Sequence, residues 1–141
     1  MGAAVAGYTS DMTRTYAVGK LDIRQRRLYK AVLEGQLAAI AAIEPGISCA
    51  SVDRAARSIL RGYGLDKKFV HSTGHGLGIE IHEPPRVGRK EETKLETGMV
   101  ITIEPGVYEP DLGGVRIEDT VLVTNQGCEI LTPTNKELVV L

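Results

Sequence analysis

Apolar residues recur at helical spacing between about residue 23 and residue 43, which predicts a long amphipathic helix in this part of the chain. Two stripes can be traced, one formed by Leu28, Val32, Ala39 and Ile43 and a second formed by Leu33, Leu37 and Ile40. Because the two stripes together cover a wide arc, we expect this helix to be buried on much of its circumference.

The predicted helix has a start signal and a stop signal. Asp22 is suited to cap its N-terminus, and Pro45–Gly46 cannot continue a helix. A second helix is predicted from about residue 49 to residue 62, with Ser48 as its cap and Gly64 as its stop.

The remaining segments alternate or are rich in β-branched residues, which is typical of strands. Residues 3–18 resemble a hairpin with its turn at Ala6–Gly7, and Met99–Ile103 and Val115–Val123 are predicted strands. Residues 128–131 and 137–141 could add two more. The order of strands, two helices and strands predicts an α+β fold, with an antiparallel or mixed sheet and the two helices on one face.

Length and composition narrow the classes of function. At 141 residues, with 43% hydrophobic and 25% charged residues, we expect one globular domain spanning residues 1–141. A net charge of −1 gives no basic surface for nucleic acid or an anionic membrane. Two cysteines are too few for a disulfide framework, so we expect a reduced, cytoplasmic protein.

Candidate chemistry is concentrated in the second half of the chain. All three histidines, His71, His75 and His82, lie in the segment HSTGHGLGIEIHEPP. Glu104 ends the apolar segment MVITIEPG, and Glu118 lies inside GVRIEDTVLV. A carboxylate in a buried strand must be paired, protonated or bound to a metal.

Two interpretations of these acids are possible. Any one acid could simply pair with an arginine such as Arg14 or Arg116. For Asp11, His75, Glu104 and Glu118 together, a shared site for divalent cations is the better explanation. Three carboxylates and one imidazole suit Mn(II), Fe(II), Co(II) or Zn(II), and bridging carboxylates can hold two such ions about 3.5–4 Å apart.

Two other chemistries have weaker support. The segment GHGLG could cradle a phosphate, but no Lys-Ser/Thr pair follows it and it opens no clear helix. Cys49 at a helix start could be a nucleophile, but no base is placed beside it. We interpret Cys49 as a buried structural thiol.

Four motifs together resemble the pita-bread metallopeptidases: GYTSDMTRTYAVG, HSTGHGLGIEIHEPP, GMVITIEPGVYEP and GGVRIEDTVLVT. Their order and spacing agree over residues 7–124. Arg116 two residues before Glu118 and His71 four before His75 favour the Xaa-Pro branch, aminopeptidase P and prolidase, over methionine aminopeptidase. Creatinase, a relative with different chemistry, lacks the metal ligands, and the resemblance to it is disfavoured for that reason.

The resemblance implies a role for each matching residue. The metal ligands would be Asp11, His75, Glu104 and Glu118, with Glu104 also moving a proton at the attacking water. His82 would stabilise the reacting carbonyl, His71 would lie beside the substrate, and Arg116 and Thr13 would belong to the surrounding network. The family implies a peptide substrate, two ions, usually Mn(II) or Co(II), and a homodimer.

One departure from the family pattern affects the expected activity. The family's first metal aspartate would fall one position before Met1. We therefore expect residues 1–141 to be the C-terminal portion of a catalytic domain, with impaired hydrolysis. The alternatives are a non-catalytic binding module on the same fold and a methionine aminopeptidase-like activity.

Overall fold

The computed structural model describes residues 1–141, and both predicted helices are present. Helix α1 spans Ile23–Ala41 and helix α2 spans Cys49–Gly62. Asp22 caps α1 as predicted, within a capping box that it forms with Gln25. Ser48 occupies the N-cap position of α2, but its hydroxyl makes no capping bond and contacts Ser51 instead. Neither helix is long and apolar enough to cross a membrane.

Nine short strands follow the chain in order, and a five-stranded antiparallel sheet is the centre of the molecule. The strands are β1 Ala4–Val5, β2 Tyr8–Thr9, β3 Gly74–Gly76, β4 Glu83–Val87, β5 Val100–Ile103, β6 Gly106–Glu109, β7 Gly113–Arg116, β8 Asp119–Thr124 and β9 Gly127–Ile130. The central sheet has the order β4–β3–β5–β8–β9, while β1–β2 and β6–β7 form separate hairpins. A short 3₁₀ helix lies at Asp66–Lys68.

Both helices pack on the same face of the central sheet, which confirms the predicted α+β arrangement. Ile101 and Ile103 of β5 contact a buried cluster that includes Val52 and Ala56 of α2 and Ala39 of α1. A second cluster joins the helices to the β6–β7 hairpin. The first predicted stripe is buried, but Leu37 of the second stripe is 45% exposed, so the buried arc of α1 is narrower than the two stripes together.

The predicted hairpin at residues 3–18 is correct only in its first part. The turn lies at Ala6–Gly7 as expected, with both residues in the left-handed region that a tight hairpin turn requires. Backbone pairing continues only to Met12, whose N–H donates to the carbonyl of Met1. Beyond Met12 the segment leaves the hairpin and pairs elsewhere. Thr13 forms an isolated backbone bridge with Glu118, and Ala17 forms one with Val140.

Two further strand predictions need correction. The segment Val115–Val123 is divided between β7 and β8, so Glu118 lies in the break between two strands and not inside one. Residues 137–141 form no strand, only the single bridge at Val140. The predicted strands at 99–103 and 128–131 are confirmed with shifts of one residue at their ends.

Three strands gave no signal in the sequence. Strand β3 is Gly-His-Gly, β4 contains Pro84 and Pro85, and β6 follows Pro105. Glycine and proline are depleted in strands, which hides them from a pattern-based prediction. The prolines of β4 are tolerated because β4 is an edge strand of the sheet.

Candidate metal centre and its cavity

The four predicted metal ligands come from neighbouring parts of the sheet. His75 lies in β3, Glu104 directly follows β5, and Glu118 directly precedes β8, and these three strands are adjacent. Asp11 arrives from the segment after β2, which bridges to Glu118 through Thr13. The sheet therefore brings together residues that are up to 107 positions apart in the chain.

The register of β5 and β8 decides which face of the sheet carries the ligands. Thr102 is opposite Thr120 and Ile103 is opposite Asp119. Because side chains alternate along a strand, Ile103 and Asp119 point to the helices while Thr102 and Thr120 point away from them. Continuing this register by one residue places Glu104 opposite Glu118, on the face away from the helices.

The ligand atoms form a compact group. One ligand atom from each of Asp11, His75 and Glu118 lies within 4.8 Å of the others. His75 Nε2 is 3.3 Å from Glu104 Oε1 and 4.0 Å from Asp11 Oδ2. Glu104 thus adjoins the three-residue group through His75. The structure brings all four predicted ligands together.

The imidazole of His75 is oriented for coordination. Its Nδ1 lies 2.9 Å from the carbonyl oxygen of Gly76, which can only accept, so Nδ1 carries the proton and Nε2 faces the carboxylates. Burial lowers the pKa of His75, but the Glu104 and Gly76 hydrogen bonds and the negative charges of Glu104 and Asp11 outweigh it and raise the pKa above its usual value. Metal-binding histidines commonly have this orientation, with the other ring nitrogen bonded to a backbone carbonyl.

Glu118 is the most buried member of the group, with 2% of its surface exposed. Burial raises the pKa of its carboxyl group, the hydrogen bond from Thr13 lowers it, and the charges of Glu104 and Asp11 raise it again, for a net rise. The Thr13 hydroxyl donates to Glu118 Oε2 at 2.5 Å. Three carboxylates gathered around one imidazole repel each other, and a divalent cation would remove that repulsion. The donor set therefore fits a hard divalent metal.

Arginine pairing does not account for these acids. Arg116 Nε lies 3.9 Å from Glu104 Oε2, a long contact for an ion pair. Arg14 donates to the backbone carbonyl of Glu118, while its carboxylate partner is Asp119, at 2.6 Å. Arg14 therefore does not pair with the carboxylate of a candidate ligand.

A cavity of about 790 Å³ lies beside the candidate metal centre. Its lining includes His71, His75, His82, Glu104, Arg116 and Arg86. Asp11 and Glu118 are not among the lining residues, so the cavity meets the ligand group on the side of His75 and Glu104. The ring centroids of His75 and His82 are 4.4 Å apart, which places His82 beside the candidate metal centre.

His71 lies at another wall of the cavity. Its Nδ1 donates to the carbonyl of Ser72 at 2.8 Å, and its Nε2 is 3.3 Å from the hydroxyl of Tyr108. The ring of Phe69 meets it edge-on, with centroids 5.0 Å apart. These contacts hold the imidazole in place at the cavity wall.

Two residues beside the site had not been singled out from the sequence. Tyr108 lies on β6, four positions after Glu104, and the pairing of β6 with β7 turns it toward His71. A Cβ at Gly114 would come within 2.5 Å of the Tyr108 ring, so this glycine makes room for the tyrosine. Arg86 lies in β4, where the prolines obscured the strand. The motif IEPGVY was the available signal for Tyr108.

The two weaker chemistries are not supported by the fold. Burial, together with the charge of Glu91, raises the pKa of the Cys49 thiol to about 11, and Cys49 is fully buried. The segment Gly74–Gly76 is a strand in the middle of the sheet, and the next element, β4, is also a strand. Neither arrangement matches a reactive thiol or a phosphate-binding helix N-terminus.

Comparison with known proteins agrees with the family that the sequence motifs resemble. The model of metallopeptidase family M24 matches residues 1–125. The Xaa-Pro dipeptidase of Pyrococcus furiosus is 52% identical over 138 residues, covering 98% of this chain and 40% of that protein. The chain thus spans about two fifths of the length of this curated relative.

Solved structures agree with the sequence comparison. The prolidase from Pyrococcus furiosus matches with a TM-score of 0.93 and 52% identity, over 95% of this chain and 40% of that one. An X-Pro aminopeptidase from Thermotoga maritima matches with a TM-score of 0.95 and 35% identity, over 99% of this chain and 40% of that one. The fold is therefore part of the pita-bread fold of these peptidases, as expected. From its sequence and its fold alike, this chain belongs to metallopeptidase family M24.

Proposed function

We propose that this chain carries the metal centre and part of the substrate cavity of a peptidase that hydrolyses Xaa-Pro bonds. The observation that supports this most directly is the convergence of Asp11, His75 and Glu118, with Glu104 beside them, next to a cavity that His75 and Glu104 line. The similarity to an Xaa-Pro dipeptidase over 98% of the chain supports the substrate class. Residues 1–141 would be the C-terminal portion of the catalytic domain.

In this proposal Asp11, His75, Glu104 and Glu118 hold divalent cations. A bound cation would supply a Lewis acid that lowers the pKa of a water molecule to near neutrality. Mn(II) or Co(II) is the preferred identity, Zn(II) or Fe(II) would also suit the donors, and the complete protein would hold two ions. In the family pattern, the aspartate that would fall one position before Met1 serves one of the two ions only. We therefore propose that residues 1–141 bind at most one ion with high affinity.

The other residues of the cavity would act on the substrate. Glu104 would accept the proton of the attacking water and pass it to the leaving amine, since its carboxylate faces both the cluster and the cavity. His82 would donate a hydrogen bond to the oxygen of the reacting carbonyl. His71 would contact the substrate, and Arg116, through Glu104 and Thr13, would orient the network.

A dipeptide is the substrate length that we favour. The relative named a dipeptidase is 52% identical, and the solved X-Pro aminopeptidase is 35% identical. Arg86 also lines the cavity, and a guanidinium there could bind the free carboxylate at the end of a dipeptide. A homodimer and a cytoplasmic location remain predictions from the sequence.

A non-catalytic binding module remains the second candidate. The N-terminal domain of the FACT complex subunit SPT16 from chickpea matches with a TM-score of 0.90 at 24% identity, over 99% of this chain and 36% of that one. At this identity the likeness shows the fold alone. The four intact ligands of this chain favour the metallopeptidase.

Metal binding is the decisive experiment for the proposed function. Mn(II) is titrated calorimetrically into the purified chain and into its His75→Ala variant. We expect one site in the unaltered chain and a large loss of affinity in the variant, because His75 supplies the only nitrogen ligand. Equal binding by both proteins would show that the metal centre has been placed wrongly.

A further inference from the structure

A buried polar cluster lies behind the candidate metal centre, on the helix side of β8. Asp119 is fully buried at its centre. Its carboxylate accepts hydrogen bonds from Arg14 at 2.6 Å, Lys136 at 2.5 Å, Gln36 at 2.8 Å and Thr132 at 3.1 Å. Asp119 is the residue after the candidate ligand Glu118, and the alternation of the strand sends the two carboxylates to opposite faces of the sheet.

Five of the six groups that accept hydrogen bonds from the Arg14 guanidinium are backbone carbonyls, and the sixth is the Asp119 carboxylate. Nη1 donates to the carbonyls of Thr13 and Glu118, at 2.9 and 2.5 Å. The remaining donors reach the carbonyls of Thr132, Thr134 and Asn135. One guanidinium, only 5% exposed, thus joins the segment after β2, the residue before β8 and the C-terminal segment.

The two carbonyls beside Nη1 belong to the backbone that carries the metal ligands. Glu118 N–H donates to the carbonyl of Thr13 at 3.0 Å, and the Thr13 hydroxyl donates to the Glu118 carboxylate. Asp11 lies two residues before Thr13, and its own carbonyl accepts from the Thr120 hydroxyl at 2.7 Å. Arg14 therefore contacts both backbone segments that carry Asp11 and Glu118.

We propose that Arg14 and Asp119 are positioning residues for the metal centre, which hold Asp11 and Glu118 at the spacing that a divalent cation requires. This inference rests on the proposed metal site. Asp119 neutralises and orients the guanidinium, and Arg14 fixes the two ligand-bearing segments. Outer contacts of this kind orient metal ligands and typically contribute about 10–100-fold to metal affinity.

The test compares four variants of the 141-residue chain. Arg14→Lys keeps a cation beside Asp119 but cannot reach the same set of carbonyls, and Asp119→Asn keeps the shape but removes the charge. Lys136→Met removes the other cation beside Asp119, whose Nζ, unlike the Arg14 guanidinium, donates to no backbone carbonyl. Val52→Ala destabilises the core between α2 and the sheet without involving this cluster.

Two measurements separate positioning from stability. Calorimetry gives the affinity for Mn(II), and thermal unfolding with and without Mn(II) gives the increment that the bound metal adds, which reports affinity for the folded state. We expect Arg14→Lys and Asp119→Asn to bind Mn(II) about 10–100-fold more weakly and to show a smaller increment. Val52→Ala should unfold at a lower temperature and keep the affinity of the unaltered chain, as should Lys136→Met.

Each outcome decides the inference. Unchanged Mn(II) affinity in Arg14→Lys and Asp119→Asn would overturn it while leaving the metal site intact. Failure of both variants to fold, with or without Mn(II), would assign the pair to folding and also overturn it. If the unaltered chain bound no Mn(II), the proposed metal site would fail, and the inference with it.

Discussion

Arg57 and Asp53 form a buried ion pair one turn apart on α2, with Arg57 Nε 2.7 Å from Asp53 Oδ2. Arg57 also donates to the carbonyls of Phe69 and His71, and Asp53 accepts from the Thr73 hydroxyl at 2.8 Å. The guanidinium lies over the Phe69 ring, 4.0 Å from its centroid. Helix α2 therefore holds the segment that carries His71 into the cavity.

Removing one member of this ion pair should destabilise the folded state. We expect Arg57→Ala to lower the free energy of unfolding by about 3–5 kcal/mol, because it leaves the Asp53 carboxylate buried without its cation. Urea unfolding followed by circular dichroism measures the change. Arg61→Ala is the matched control on the same helix, since Arg61 is 71% exposed and 3.6 Å from Asp66, and it should cost about 0–1 kcal/mol. Equal effects of the two substitutions would contradict a structural role for the buried pair.

Loss of a metal ligand should abolish metal-dependent hydrolysis. In a protein that contains the complete catalytic domain, we expect His75→Ala and Glu104→Ala each to eliminate turnover of an Xaa-Pro dipeptide and to weaken Mn(II) binding. Glu129→Ala, at an exposed position of β9, is the control and should keep both properties. Turnover equal to that of the unaltered protein at saturating Mn(II) would remove the substituted residue from the proposed centre.

His82 should affect rate more than metal content. We expect His82→Ala to lower turnover by about 10²–10³-fold, the typical effect of losing one donor to a developing oxyanion. Metal analysis of the purified variant provides the second measurement. Loss of half or more of the bound metal would identify His82 as a ligand, contrary to its proposed place beside the substrate.

Cys49 should resist alkylation over the ordinary pH range. Its pKa of about 11 lies above the usual value, so the thiol stays protonated, and unreactive, until the pH approaches that value. With iodoacetamide at pH 8, we expect little modification of Cys49 in the folded chain and rapid modification in urea, where its pKa returns to about 8.5. Peptide mass spectrometry distinguishes it from Cys128. Fast labelling of Cys49 in the folded chain would reopen a nucleophilic role.

The sequence by itself determined the helices and the candidate chemistry. Asp22 and Gly64 mark helix ends through local backbone requirements, which act over a few residues and can be read from the chain. The acids and histidines of the four motifs stood out because a charge in an apolar segment requires a partner. The motif spacing also indicated a metallopeptidase, and the family comparison confirmed that membership.

Tertiary structure decided which groups meet and which face each one occupies. Glu118 and Asp119 are adjacent acids, and the register of β8 sends Glu118 to the candidate metal centre and Asp119 into the core with Arg14. The hairpin segment was misjudged beyond Met12 because its partners are more than 100 residues away. Strand pairing is a long-range interaction, and a one-residue change of register would exchange the two faces, so only the folded sheet fixes the site.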